Sequence, residues 1–342
     1  MARVTVIMPA YNAEKFIEAS VRCVLNQSFS DIELIVVNDG STDRTGKILE
    51  ALAAEDPRLT VLNETNGGPA RARNRALETV RSGSEYIMFV DADDELLPDA
   101  IEYAVGGSRD ADLVFFGFSI VNPDGTARHY FESERHINSA NFGENLPDLY
   151  KANLLNQVWG KLFRANLILD NGLSFCDYRW GEDRLFIYDC LDMASTATVL
   201  PECKYRYIMH PGESLITKFY DRKLRVCIES DAHMEQICFR NGVKDEAIFK
   251  YMFAKSVFSC ITTLFAKNCT LTYREKREYM RNLLYNEHVH RRCDGVFGGF
   301  AVNFLCAVVR TRNITLNLFV FRMVALASKI APKLFMAIKH KK

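Results

Sequence analysis

Val4-Thr5-Val6-Ile7-Met8-Pro9-Ala10-Tyr11-Asn12 is the stretch that decides the fold. Five β-branched or apolar residues without a charge read as a strand buried on both faces, and Pro9 stops it. Ile17, Val21, Val24 and Leu25 then recur at helical spacing, with Asn12 available as a cap. The pattern repeats downstream. Leu34-Ile35-Val36-Val37 predicts a second strand ended by Asn38-Asp39-Gly40, and Thr42 or Asp43 starts a helix carrying Ile48, Leu49 and Leu52. Leu59 to Leu62 predicts a third strand, Ala70 to Val80 a helix, and Tyr86 to Val90 a fourth strand. Repeated β–α–β order implies a mostly parallel sheet covered by helices, with ligands at the carboxyl ends of the strands. Those ends carry Tyr11-Asn12, Asp39-Gly40 and Asp91-Ala92-Asp93, which places one polar site on one edge.

Further along, the pattern is mixed from about Ala111 to Thr217, with strands expected at Val114-Phe115-Phe116 and Tyr205 to Ile208. Residues 219 to 290 read as helical. With 342 residues, 48% hydrophobic and 25% charged, the chain is neither disordered nor low-complexity. The ten cysteines are scattered, without the paired spacings of zinc ribbons, and read as reduced, buried small hydrophobes of a cytosolic protein. The apolar run Val4 to Met8 is too short for a secretory signal.

The 43 bases and 43 acids balance overall but not locally. No acid follows Asp294, while Arg310, Arg312, Arg322, Lys329, Lys333, Lys339, Lys341 and Lys342 do. Arg322, Lys329, Lys333 and His340 share one helical face, and Phe319, Met323, Leu326, Ile330, Leu334 and Ala337 fill much of the rest, with Pro332 a point of kinking. Such a helix suits an anionic membrane surface, or else packs on the acidic body. The uncharged run Gly295 to Val309 has 15 residues, short of the roughly 20 that span a bilayer.

Nucleotide-binding loops are absent in their familiar forms. Nothing after the first strand reads G-x-G-x-x-G, and Gly40 to Lys47 misses a P-loop by one residue, with Ile48 where Ser or Thr should hold magnesium. Asp91 and Asp93, on one side of an extended segment, could hold Mg²⁺ or Mn²⁺ against a substrate diphosphate; alternatively Asp94 caps a helix through Leu97. Glu182-Asp183 precedes an amphipathic segment and could cap it. His288-Val289-His290 reads as surface.

Pro9-Ala10-Tyr11-Asn12, Val37 to Asp43, Asn66-Gly67-Gly68 with Ala72-Arg73-Asn74, and Val90 to Asp94 occur in one order. Together they resemble the inverting nucleotide-sugar glycosyltransferases of family 2, with a GT-A fold. Val158 to Phe163, Gly181-Glu182-Asp183 and Ser214 to Thr217 extend the likeness to the branch that builds bacterial capsular and exopolysaccharide units. The resemblance implies a Rossmann-like, mostly parallel sheet with helices on both faces and a C-terminal helical extension. The expected division is a GT-A domain over 1–218, followed, on the helical and basic patterning of the residues themselves, by a helical extension over 219–294 and a basic amphipathic membrane-associating tail over 295–342.

Residue by residue, the resemblance puts Tyr11 and Asp39 on the uracil and ribose, Arg73 near the base or diphosphate, and Asp91 on the ribose, with Pro9, Asn12, Asn66 and Ala92 lining the nucleotide-sugar. It makes Asp93 a ligand of Mn²⁺ or Mg²⁺, with His210 a second candidate ligand. Asp183 becomes the general base, and Trp159, Lys161 and Glu182 line the sugar or acceptor side. The acceptor it implies is a lipid-linked saccharide at the inner face of the cell membrane, with the enzyme cytoplasmic and peripheral. No nucleic-acid partner is expected, and a homo-oligomer is compatible. The alternatives are a nucleotidyltransferase, which would need a Gly-rich loop and a basic residue after strand one, and a non-catalytic sugar-nucleotide-binding assembly protein.

Overall fold

The computed structural model describes residues 3–80, 83–210, 218–295 and 299–330. The chain divides into two compact units, Met1–Glu213 and Ser214–Lys342.

The first unit begins β1 (Val4–Ala10), α1 (Ile17–Leu25), β2 (Ile32–Asp39), α2 (Thr45–Glu55), β3 (Leu59–Glu64), α3 (Pro69–Leu77) and β4 (Tyr86–Phe89). It continues β5 (Glu95–Leu96), α4 (Ala100–Gly106), β6 (Leu113–Val121), β7 (Ala127–Tyr130), β8 (Arg135–Asn138), α5 (Phe142–Lys151), β9 (Lys161–Arg164), α6 (Ala165–Leu169), α7 (Glu182–Met193) and β10 (Thr196–Ile208). Its ten strands form one sheet ordered β3-β2-β1-β4-β9-β6-β10-β5, with β7 beside β6 and β8 beside β10.

The first four strands run parallel, as the repeated β–α–β order requires. Strand β1 is almost wholly buried, with α3 packed against it, and its sequence shows no polar alternation. Strand β9 enters antiparallel between β4 and β6. It therefore runs its Lys161 end toward the same edge that carries Asp91.

Two sequence expectations change here. Asn12 does not cap α1, whose first flanking residue is Phe16. Instead Asn12 takes φ 48° and its Oδ1 accepts from the Thr42 N–H at 2.8 Å, tying the loop after β1 to the loop after β2. Asp94 caps no helix either. The backbone after it enters β5, and α4 starts only at Ala100.

The second unit is helical: α8 (Lys223–Arg240), α9 (Ala247–Thr263), α10 (Tyr273–Leu284), α11 (Glu287–Arg292), α12 (Phe300–Arg310) and α13 (Ile314–Ile330). Helix α9 buries Phe249, Phe253, Val257, Cys260 and Ile261 and takes α8, α11, α12 and α13 against it. Arg292 is fully buried and donates to both oxygens of Asp231 at 2.7 and 2.9 Å and to Glu246 at 2.8 Å. His288, expected at the surface, joins that cluster, with Nε2 2.7 Å from Asp231. The acid that recruits it lies 57 residues away on α8, beyond the reach of local pattern.

Candidate active site

The carboxyl edge of the parallel strands is assembled by loop-to-loop hydrogen bonds. Asp39 is 4% exposed, and its two oxygens accept from the N–H groups of Gly67 and Gly68 at 2.7 and 2.8 Å. The loop after β3 is thus pinned to the end of β2. Gly40 permits that approach: at φ +67°, a Cβ there would stand 2.6 Å from the Asn66 nitrogen. Gly68 turns at φ 90° into Pro69, which starts α3 without needing an N–H partner. Tyr11 projects at this edge, 52% exposed, and Asn66 donates through its amide to the Asp39 carbonyl at 3.1 Å.

Helix α3 supplies the centre. Arg73 is 3% exposed and its guanidinium spans three carboxylates. Nη2 donates to Asp91 at 2.9 Å, while Nη1 donates to Asp183 at 2.7 Å and lies 3.4 Å from Glu182. The next residue, Asn74, gives and takes a hydrogen bond with the Phe175 backbone, at 2.8 and 2.7 Å. Phe175 stacks on Phe186 at 4.0 Å and lies under Arg73. One turn of α3 therefore fixes the first turn of α7, 110 residues away in sequence. Arg73 was expected near a nucleotide base or diphosphate; here its two terminal nitrogens are engaged by carboxylates, while Nε has no partner among the described residues.

Neither acid of α7 caps it. The flanking residue is Gly181, at φ 83°, and the capping alternative falls away for both acids. Burial pushes Glu182 up to about 7, with the neighbouring Asp183 charge adding and Arg73 opposing. Asp183 is likewise raised by burial, held back by Arg73, by Lys161 and by a backbone hydrogen bond from Val158.

Lys161 approaches from β9, 1% exposed, and its ammonium donates to the carbonyls of Gln157 and Trp159. Burial drives it down to about 7, against the pull of Asp183. The amine therefore braces the turn that supports Asp183 rather than lining an open pocket. Trp159, 8% exposed, stacks on Tyr205 at 4.6 Å and Tyr207 at 5.7 Å.

The acidic motif differs from the extended segment expected. The Asp94 N–H reaches the Asp91 carbonyl at 3.2 Å, closing a turn, so that Asp91 faces Arg73 while Asp93 faces elsewhere. Asp94 anchors the turn: fully buried, it accepts from the Tyr205 hydroxyl at 2.6 Å and the Ile208 N–H at 2.9 Å. Burial beside Asp91 and Asp93 raises its carboxyl well above the usual range. Ala92 is buried beneath the turn.

Asp93 Oδ2 lies 3.7 Å from His210 Nε2, and the imidazole packs on Phe16 at 4.2 Å. That Nε2 is buried without a hydrogen-bond partner among the described residues. A buried imidazole nitrogen facing a carboxylate fits a divalent cation whose other ligands come from substrate. Among the described residues no group of three or more His, Cys, Asp or Glu forms a closed metal site. Ser214 to Thr217, included in the resemblance, lie outside the described residues.

Residues 5–167 match the family model described as glycosyl transferase family 2. Residues 5–167 therefore form a glycosyl transferase family 2 domain. The matched segment holds the loops after β1, β2 and β3, Arg73, the Asp91 turn and Lys161.

Among similar proteins, the uncharacterized glycosyltransferase EpsJ of Bacillus subtilis strain 168 is 32% identical over 214 residues, covering 61% of this chain and 62% of EpsJ. The chain thus spans less than two thirds of that relative. TarS of S. aureus, crystallised as residues 1–349 with UDP-GlcNAc, superposes with a TM-score of 0.63 at 22% identity, over 96% of this chain and 92% of TarS. The mannosyltransferase PcManGT of Pyrobaculum calidifontis, solved with GDP-Man and Mn²⁺, gives a TM-score of 0.51 at 18% identity, over 97% of this chain and 88% of its own. These structures share the GT-A fold of family 2: a mostly parallel central sheet, followed here by a helical region.

Sequence reasoning missed the parts that hold the site. Tyr205 and Asn74 are ordinary strand and helix residues in sequence, and Gln157, Val158 and Trp159 act through backbone atoms. Asn74, Val158 and Trp159 lie within the quoted motifs, but the motifs do not announce these holding roles.

Proposed function

We propose that the chain is a metal-dependent, inverting glycosyltransferase. It would move a sugar from a nucleotide-sugar, a UDP-sugar by preference, to a hydroxyl of a lipid-linked oligosaccharide in surface-polysaccharide synthesis. The observation that carries this reading is the Arg73 node. One guanidinium joins Asp91, next to the Asp93–His210 pair, to Asp183. Donor-side and base-side carboxylates are thereby held in one frame. The UDP-GlcNAc bound by TarS supports the choice of donor class, and the Mn²⁺ of PcManGT supports a cation.

Tyr11 would face the base and Asp39 would accept from its imide, each Asp39 oxygen keeping a lone pair beyond its backbone hydrogen bond. Asp91 would accept from a ribose hydroxyl. Pro9, Asn12, Asn66 and Ala92 shape the surrounding loops. Asp93 and His210 would hold the cation, and an imidazole with a carboxylate favours Mn²⁺ over Mg²⁺. When bound, the ion offsets charge on the departing diphosphate.

Asp183 would take the proton of the acceptor hydroxyl as its oxygen attacks the anomeric carbon opposite the diphosphate, inverting that centre. Burial raises the basicity of Asp183, which suits this task, while Arg73 and Lys161 oppose that rise. Glu182 and Trp159 border the same face, and we assign them to sugar and acceptor contacts. The acceptor's lipid anchor implies a peripheral position on the membrane.

The test is a panel of UDP- and other nucleotide sugars with purified full chain, watching diphosphate release with and without Mn²⁺. Acceptor-dependent release of UDP from one donor is expected. Release that ignores the donor panel, or full turnover in EDTA, overturns the assignment.

A further inference from the structure

Helices α12 and α13 present two unlike faces. The inner face is core: Cys306, Val308, Val309, Asn317, Leu318, Phe321 and Ala325 are buried, with α12 against α9 and α13 against α9 and α10. The Phe321 and Phe258 rings meet at 5.6 Å, and the Asn317 amide donates to the Val308 carbonyl at 2.8 Å, joining the two helices. Residues 299–330 are thus built into the second unit, not appended to it. The outer face is apolar as well. Phe300 is 88% exposed, Phe304 50%, Leu316 39%, Phe319 64%, Met323 51% and Leu326 41%. A row of six large apolar side chains in water marks an interaction surface.

We propose that this outer face docks the chain on an anionic phospholipid surface. Arg322 is exposed among Phe319, Met323 and Leu326, so the basic and apolar groups share one side, where the sequence had suggested opposite sides. Five of the other seven bases lie from Lys329 to Lys342, with side chains outside the described residues.

The spacing Leu316, Phe319, Met323, Leu326 is also that of a helix–helix seam. Charge decides between the two. The 48 residues after Asp294 contain eight bases and no acid, so a second copy would bring like charges together with nothing in this segment to pair them. A headgroup plane offers many phosphates at once, and aromatic and Met side chains enter the interfacial layer while Arg322 reaches back to it. No helix among the described residues is long and apolar enough to cross a membrane, so docking is parallel to the surface.

The docking face deepens the reading of a lipid-linked acceptor and rests on it only for its purpose. Its test therefore uses no substrate. Full-length chain is sedimented with vesicles of phosphatidylcholine alone, or with about a third phosphatidylglycerol, at low and high salt. The parent should pellet with the anionic vesicles only, and less as salt rises. Phe319→Ser/Met323→Ser, Phe304→Ser and Arg322→Glu, all at exposed positions, should each lower the partition by about tenfold while melting like the parent. If the double variant misfolds, Phe304→Ser and Arg322→Glu carry the comparison. A parent that ignores anionic vesicles at low salt, or variants that bind as the parent does, overturn the proposal. So does lipid-free self-association that the same substitutions abolish, which would make a second copy the occupant. UDP release with a soluble saccharide acceptor reads the catalytic assignment separately.

Discussion

Replacing Arg73 by Met would take away the guanidinium that Asp91, Glu182 and Asp183 share. Removing one partner of a fully buried ion pair costs about 3–5 kcal/mol. Glu182 keeps 10% of its side chain in solvent, Asp183 21% and Asp91 27%, so water screens part of the loss and the lower end applies, about 3 kcal/mol. For a unit of this size that is roughly 6–12 °C in melting temperature. The pH dependence carries the sharper test. Glu182 and Asp183 already sit above their ordinary values because they are buried, and without Arg73 they rise further. Such groups contribute stability at low pH that is lost as pH rises through the folded pKa. The deficit of Arg73→Met should thus be small near pH 5 and largest near pH 8. Calorimetric melts of both proteins across that range measure it. A variant that melts with the parent at pH 8, or whose deficit grows toward pH 5, would refute the role given to Arg73.

Two buried groups should shape the parent's own pH profile. Glu182, raised from 4.5 to about 7, makes stability fall as pH climbs through that interval; Lys161, lowered from 10.5 to about 7, makes it recover above. Glu182→Gln should flatten the falling limb and Lys161→Met the rising one, both read by thermal melts. Lys161→Met should also move the pH profile of kcat upward, because Asp183 loses a nearby cation. Asp93→Ala and His210→Ala should each weaken Mn²⁺ binding by calorimetry in the presence of UDP, while the unit melts near the parental temperature. Unchanged Mn²⁺ affinity in both would remove the cation from this pair.

The β–α–β half of the first unit was legible because burial on both faces writes itself as uncharged β-branched runs, and turn chemistry punctuates them. The strands expected from Val4, Leu34, Leu59 and Tyr86 all form. The insertion of β9 between β4 and β6 was not legible, since four residues beginning at Lys161 carry no strand-like alternation. Candidate site residues were legible where a motif concentrates them, as at Asp91 to Asp94. Their partners were not. That Arg73 turns to carboxylates depends on α7 arriving from 110 residues away, and that Asp94 is an anchor depends on Tyr205. On α13, periodicity showed apolar and basic positions but could not tell which face α9 would claim.

The most direct measurement of the central claim is single-turnover sugar transfer by Asp183→Asn, run beside the parent with donor affinity measured on both. Asn can neither take a proton nor carry the charge, yet fills the same space. The account predicts that the variant binds UDP and the UDP-sugar nearly as the parent does, and transfers sugar slower by about 10²–10⁴. Transfer at near-parental rate would contradict it and leave Asp183 a structural partner of Arg73.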